Sequence, residues 1–114
     1  MQQHQIIVPK TSNVYILGDL DKCKEVWIVL HGYGELAKFF IQKFKCLTEN
    51  NIAVIAPDGL SKFYTNGTSG RVGSSWMTKE DRETEINDYI NYLDIVYSKF
   101  NLQNKKVILL GFSQ

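Results

Sequence analysis

The residue best placed for covalent chemistry is Ser113, in Gly111-Phe112-Ser113-Gln114 directly after the apolar run Val107-Ile108-Leu109-Leu110. These residues match the first four positions of G-x-S-x-G, in which a tight turn after a strand lifts a serine hydroxyl above a sheet, where it can attack an acyl carbonyl. Gly111 is needed because that turn is strained and crowded. A second turn, His31-Gly32-Tyr33-Gly34, follows another apolar run and has the flexible backbone that can aim N–H groups at a developing oxyanion. The backbone N–H groups of Tyr33 and Gln114 form the candidate donor pair. His31 has the chemistry of a general base, yet a histidine at a strand end is more often a hydrogen-bonded structural residue. His31, Gly32 and Gly111 are therefore read as structural residues at the site, and His4 as uninvolved.

The elements that would position these groups follow from the pattern of apolar residues. Val26-Trp27-Ile28-Val29-Leu30, Ile52-Ala53-Val54-Ile55-Ala56 and Val107-Ile108-Leu109-Leu110 are continuous apolar runs, as expected of parallel strands covered on both faces. Each ends in a distinctive turn, so three turns converge on the carboxyl-end rim where open sheets bind ligands. Ile6-Ile7-Val8 and Val14-Tyr15-Ile16-Leu17 read as a short antiparallel hairpin. A helix over residues 36–50 is predicted from the stripe Leu36, Phe40, Phe44, Leu47. A second helix is predicted from Thr78, with Asp81 three residues on resembling a capping box, through Ile86, Ile90, Leu93, Tyr97 and Phe100. Glu80, Glu83 and Glu85 suit its solvated first turn rather than a metal site. The expected fold class is α/β, a mostly parallel sheet with helices on both faces. Residues 57–77 are expected to be a long functional connection, part of it packed through Phe63, Tyr64 and Trp76.

The chain has 114 residues, 44% hydrophobic and 22% charged, with 13 Lys and Arg against 12 Asp and Glu for a net charge of +1. This is the composition of one ordinary globular domain or part of one. Near-neutral charge excludes the broad basic footprint of a nucleic-acid or anionic-membrane binder. Cys23 and Cys46 lack metal-ligand spacing, and no metal is implied; both are expected to be buried or half-buried thiols of a reducing compartment. The polar start and the absence of an apolar run near ~18 residues predict cytoplasmic residence and no membrane span. Asn66-Gly67-Thr68 fits the glycosylation pattern, a short match expected by chance.

Four segments taken together, VWIVLHGYGELAKFF, VIAPDG, GRVGSSWM and VILLGFSQ, resemble the N-terminal half of an α/β-hydrolase of the phospholipase/carboxylesterase group, which includes acyl-protein thioesterases. The resemblance runs from about Val26 to Gln114. It implies a serine esterase that cleaves a small-molecule acyl ester or thioester through an acyl-enzyme on Ser113, without a cofactor. The oxyanion hole would be the Tyr33 and Gln114 amides, and Trp76 would lie beside the substrate. Met77 and Thr78 stand where relatives usually carry an aromatic and an acid. In this group the triad order is serine, acid, histidine, so both partners should follow Ser113. Residues 1–114 are accordingly expected to be the N-terminal portion of a single hydrolase domain, α/β-hydrolase type and truncated after the nucleophile motif. Such a portion is expected to be inactive by itself and prone to self-association.

Two other readings compete. Gly32, Gly34 and Ala37 satisfy G-x-G-x-x-A between a strand and a helix, and Asp58 follows about 20 residues on, as in the fingerprint of a dinucleotide-binding Rossmann-type domain. Against this, Glu35 would bring a carboxylate towards a pyrophosphate, and Gly111-Phe112-Ser113-Gln114 is left unexplained. The other alternative is a non-catalytic binding module, supported only by the absent triad partners.

Overall fold

The computed structural model describes residues 1–114. Six strands and two α-helices form, in the order β1 (Val14–Leu17), β2 (Glu25–Leu30), α1 (Ala37–Phe40), β3 (Ile52–Pro57), β4 (Ser61–Asn66), β5 (Ser69–Ser75), α2 (Arg82–Lys99) and β6 (Lys106–Gly111). They make two sheets, one four-stranded in the order β1-β3-β2-β6 and one two-stranded from β4 and β5. β3 and β6 both run parallel to β2, whereas β1 runs antiparallel to β3.

The two central strands are buried on both faces, which is why β2 and β3 read as unbroken apolar runs. Side chains alternate across a strand. Val26 and Ile28 of β2 and Ala53 and Ile55 of β3 therefore join one core cluster with Val96 and Leu102. Val29, Val54 and Ala56 join a second with Ala37, Phe40 and Ile41 on the opposite face. The β2–β6 register pairs Glu25 with Lys106, whose ammonium lies 3.3 Å from the carboxylate. The Trp27 indole N–H donates to the same carboxylate at 2.6 Å and, with Lys106 adding to it, holds the Glu25 carboxyl below its usual range.

This mixed α/β arrangement overturns the expected fold of a mostly parallel sheet with helices on both faces, of α/β-hydrolase type. There are three physical reasons. First, residues 57–77 are not an irregular connection: β4 and β5 pair antiparallel around Gly67 and Gly70, whose positive φ values of 67° and 90° permit the reversal. Second, β1 does not pair with Ile6-Ile7-Val8, which are exposed and outside any strand; it adds antiparallel to the edge of β3. Third, helical cover is thin. The stripe from Leu36 to Leu47 does face the core, but only Ala37–Phe40 is α-helical, and Ile41–Asn50 winds as a 3₁₀ helix.

The second helix starts later than predicted, and it keeps Ile86, Leu93 and Phe100 of the predicted stripe on its inner face while Ile90 and Tyr97 are exposed. Asp81 adopts a left-handed backbone with φ 53°, and α2 begins at Arg82. Thr78 does not cap it; its N–H and hydroxyl donate to the Glu85 carboxylate at 2.9 and 3.0 Å, tying the preceding turn to the helix. Inward-facing positions include Ile86, Tyr89, Tyr92, Leu93, Val96 and Phe100, while Ile90 is 47% exposed. Tyr89 and Tyr92 join that face against Trp76, whose ring packs on theirs at 6.0 and 6.3 Å between centroids. Cys23 is buried, but Cys46 is exposed, contrary to expectation, because it lies on the outer side of the 3₁₀ segment. No helix is long and apolar enough to cross a membrane.

Val96 is the only fully buried side chain of α2, at 2% exposure. Val96→Ala should therefore lower the unfolding free energy by about 2 kcal/mol, lost transfer energy plus a residual cavity. Ile90→Ala should change it by less than about 0.5 kcal/mol. Urea unfolding followed by circular dichroism checks both, and equal losses would mean that the helix packs on the stripe read from sequence.

Candidate functional site

The two turns singled out in the sequence meet at the carboxyl ends of β2 and β6, which lie side by side in the sheet. The Phe112 N–H donates to Leu30 O at 3.1 Å, carrying the pairing one residue past β6. A Cβ at position 32 would stand 2.8 Å from Glu35 Oε1 and 3.1 Å from the Phe112 ring, so a larger residue there would push these side chains aside. Phe40 packs on the other side of Phe112, 5.9 Å between centroids. Residues 31–34 and 111–114 are thus neighbours because two parallel strands end together.

Ser113 follows with φ 62° and is exposed. A left-handed backbone at a non-glycine residue costs on the order of 1 kcal/mol or more and marks a position that the surroundings hold in place. The restraint is visible in Gln114. Its side-chain oxygen accepts from the Trp76 N–H at 3.1 Å, and its amide nitrogen donates to Ser75 Oγ at 2.9 Å and to Met77 O at 2.7 Å. These bonds fasten the end of β6 to the end of β5. The backbone N–H groups of Gln114 and Tyr33 donate to no group within the chain.

Burial explains the shape of the rim. His31 is 1% exposed and has both ring nitrogens engaged. Nε2 accepts from the Gly59 N–H at 2.9 Å, so the ring proton sits on Nδ1 and is donated to Gly32 O at 2.7 Å. Ser74 Oγ lies 2.9 Å from the same Nε2 and 3.3 Å from Glu35 O, either of which its proton can reach. Trp76, 5% exposed, donates its indole N–H to His31 O at 2.9 Å and lies 5.2 Å from the imidazole ring. One histidine thereby joins the ends of β2, β3 and β5. An imidazole committed in this way is a scaffold and not a free base.

Two carboxylates shape the first turn. Glu35 Oε1 accepts from the Gly32 N–H at 2.8 Å, closing the turn upon itself. Buried Asp58 reaches across from the end of β3 and accepts from the Ala37 N–H at 2.8 Å, supplying the cap that Leu36 lacks. The hairpin completes the frame. Gly34 N–H donates to Ser74 O and Ser74 N–H to Glu35 O, both at 2.9 Å. Only a glycine at position 73 fits there, since a Cβ would stand 2.7 Å from Gly34 Cα.

Of the residues proposed from sequence, Gly32, His31, Trp76 and Gln114 form one hydrogen-bonded and packed group, with Ser113 directly attached to it. Tyr33 is exposed and stacks on Phe63 of β4 at 5.1 Å. Gly111, expected to be needed in a strained and crowded turn, instead has open space where a Cβ would be and no positive φ. Ser74, Ser75 and the side chain of Gln114 were not foreseeable as site residues, because their roles exist only once β4 and β5 fold back. Glu35 and Asp58 had a signal, each being an acid next to a glycine turn. No group of three or more His, Cys, Asp or Glu is arranged to hold a metal ion.

Tyr92 lies under Trp76 and donates its hydroxyl to Ser12 Oγ at 3.0 Å. Burial pushes its hydroxyl from 10.0 up to about 12; the Ser12 bond works the other way, and the Asp58 charge adds to the rise.

Two outcomes follow from these contacts. His31→Phe keeps the ring but strands the Gly59 N–H, and should cost at least about 2 kcal/mol in urea unfolding. A loss within about 0.5 kcal/mol would show that His31 is not the tie between the three strand ends. The folded chain holds Tyr92 neutral, so its contribution is complete below pH 10 and is lost as pH rises from 10 to about 12. Tyr92→Phe should remove that part of the alkaline slope while costing about 0.5–1.5 kcal/mol at neutral pH for the Ser12 bond. An unchanged alkaline unfolding curve in the variant would refute the assignment.

Among known proteins, no family model matches this chain, and no curated protein matches it.

Proposed function

We propose that Ser113 is the nucleophile of a serine esterase or thioesterase acting on an acyl substrate. The observation that carries this is the backbone of Ser113: an exposed serine with φ 62°, held immediately beyond the end of a parallel strand. Strain of this kind persists where the surroundings over-determine it, and a strained turn after a strand is where a nucleophilic serine hydroxyl is best presented. The resemblance of the four sequence segments to the phospholipase/carboxylesterase group supports the same chemistry.

In this reaction Ser113 Oγ attacks the acyl carbonyl, the bond to the leaving group breaks, and water then releases the acid. The unengaged N–H groups of Tyr33 and Gln114 are the donors proposed for the oxyanion. The Gln114 side chain, through Trp76, Ser75 and Met77, would keep its own N–H in place while charge develops. Exposed aromatic surface on Tyr33 and Phe112 suits an apolar acyl group. A serine hydroxyl needs a proton acceptor. His31 is committed to Gly59 and Gly32, and His4 bonds to Gln2, so the proposal calls for a base other than these two.

The dinucleotide alternative is set aside on chemical grounds. The N–H groups that would receive a pyrophosphate at Gly32 and Ala37 already donate to the carboxylates of Glu35 and Asp58, and α1 is a single turn.

A fluorophosphonate probe applied to the protein expressed from its full coding sequence should label Ser113, and short-chain p-nitrophenyl esters should be turned over. Ser113→Ala should lose labelling and lower turnover by at least about 10³-fold with an unchanged circular dichroism spectrum. Retained turnover in that variant would end the assignment.

A further inference from the structure

A pocket of about 350 Å³ opens between the N-terminal segment and the last turns of α2, and no residue of the turns around Ser113 lines it. Its volume lies within the range of small-ligand sites. Val14, Ile95 and Phe100 supply apolar wall, half-buried Tyr92 also lines it, and Lys10 of the N-terminal segment and Lys99 of α2 complete the lining with Ser12 and Val96. Neither lysine has a carboxylate within ion-pairing distance. No acidic residue lines the pocket; Asp94 shares the neighbouring face with Ile95 and Lys99 but is not part of this wall.

The combination has a specific chemical meaning. Ile95, 66% exposed, is an apolar side chain on a surface helix that nothing in the chain covers. A neutral apolar ligand would cover the wall but leave both ammonium groups as they are. A small inorganic anion would meet the ammonium groups but leave the wall in water. A single molecule with an apolar tail and an anionic head satisfies both, because the tail displaces water from Val14, Ile95 and Phe100 while the head takes charge-assisted hydrogen bonds from lysine.

We infer that this pocket binds a monoanionic amphiphile of the fatty-carboxylate class, with its tail on the Val14, Ile95 and Phe100 wall and its carboxylate between Lys10 and Lys99. The site is independent of the chemistry proposed at Ser113, since none of its lining residues belongs to the turns around that serine.

Calorimetric titration of the Ser113→Ala protein with decanoate tests this without turnover, with decanol as the uncharged counterpart. Saturable binding of decanoate, at least tenfold tighter than decanol and weakened at least tenfold by Lys10→Gln/Lys99→Gln, is the expected result. Both positions are on the surface, so folding is checked by an unchanged circular dichroism spectrum and urea midpoint. In parallel, Ile95→Asp should abolish decanoate binding by placing a repelling charge in the wall. No saturable binding, equal affinity for decanol, or affinity unchanged in the double variant would each overturn the assignment. Decanoate that protects Ser113 from a fluorophosphonate in the unsubstituted protein, while ignoring the lysine and Ile95 variants, would place it at the serine and also overturn it.

Discussion

The hydrogen bond from the Gly59 N–H to the buried His31 imidazole is the constraint on which the rim of this protein depends. It fixes the ring tautomer, which directs Nδ1–H to Gly32 O and so sets the first turn. The His31 carbonyl receives the Trp76 indole, and Trp76 in turn offers its backbone N–H to Gln114. Three strand ends and the serine turn are therefore linked through one neutral ring. Buried polar networks are stabilising only when every member is satisfied, and no buried side-chain nitrogen or oxygen here lacks a partner.

Much of the central sheet was legible because its physics is local to each strand. Burial on both faces leaves a run such as Val26 to Leu30 with no polar position. The same logic failed for β6, where Leu109 is 61% exposed: alternation puts it on the side of Val107, beyond the reach of α2. The β4–β5 hairpin was hidden for a different reason. Most of its residues face water, so it carries no hydrophobic period, and Asn66-Gly67 was its one local sign. Periodicity located the apolar face over residues 36–47 yet could not distinguish α from 3₁₀ winding, since the two differ by a single residue in hydrogen-bond spacing. On α2 the stripe held at Ile86, Leu93 and Phe100 but failed at Ile90 and Tyr97, because Tyr89, Tyr92 and Val96 are selected by Trp76 and the sheet rather than by their own spacing.

The site divides in the same manner. Ser113, Gly32 and Trp76 were visible because turn chemistry is written in neighbouring residues. What holds them was not, because Gln114 meets Ser75 only across 39 positions of chain and Asp58 caps a helix 21 positions away. The long-range ties also explain how a strained serine is tolerated. The φ of Ser113 is not compensated by any bond of its own; the glutamine beside it, anchored to a second sheet, bears the restraint.

The two thiols occupy opposite extremes of this architecture. Cys23 sits in the cluster beneath α2 with its sulfur against Leu20 O, whereas Cys46 is open to water on the 3₁₀ segment. A thiol under packing reacts only when the structure above it opens. The pair therefore forms a built-in clock: modification of Cys46 marks time zero, and the lag before Cys23 reacts measures how often the packing over it opens.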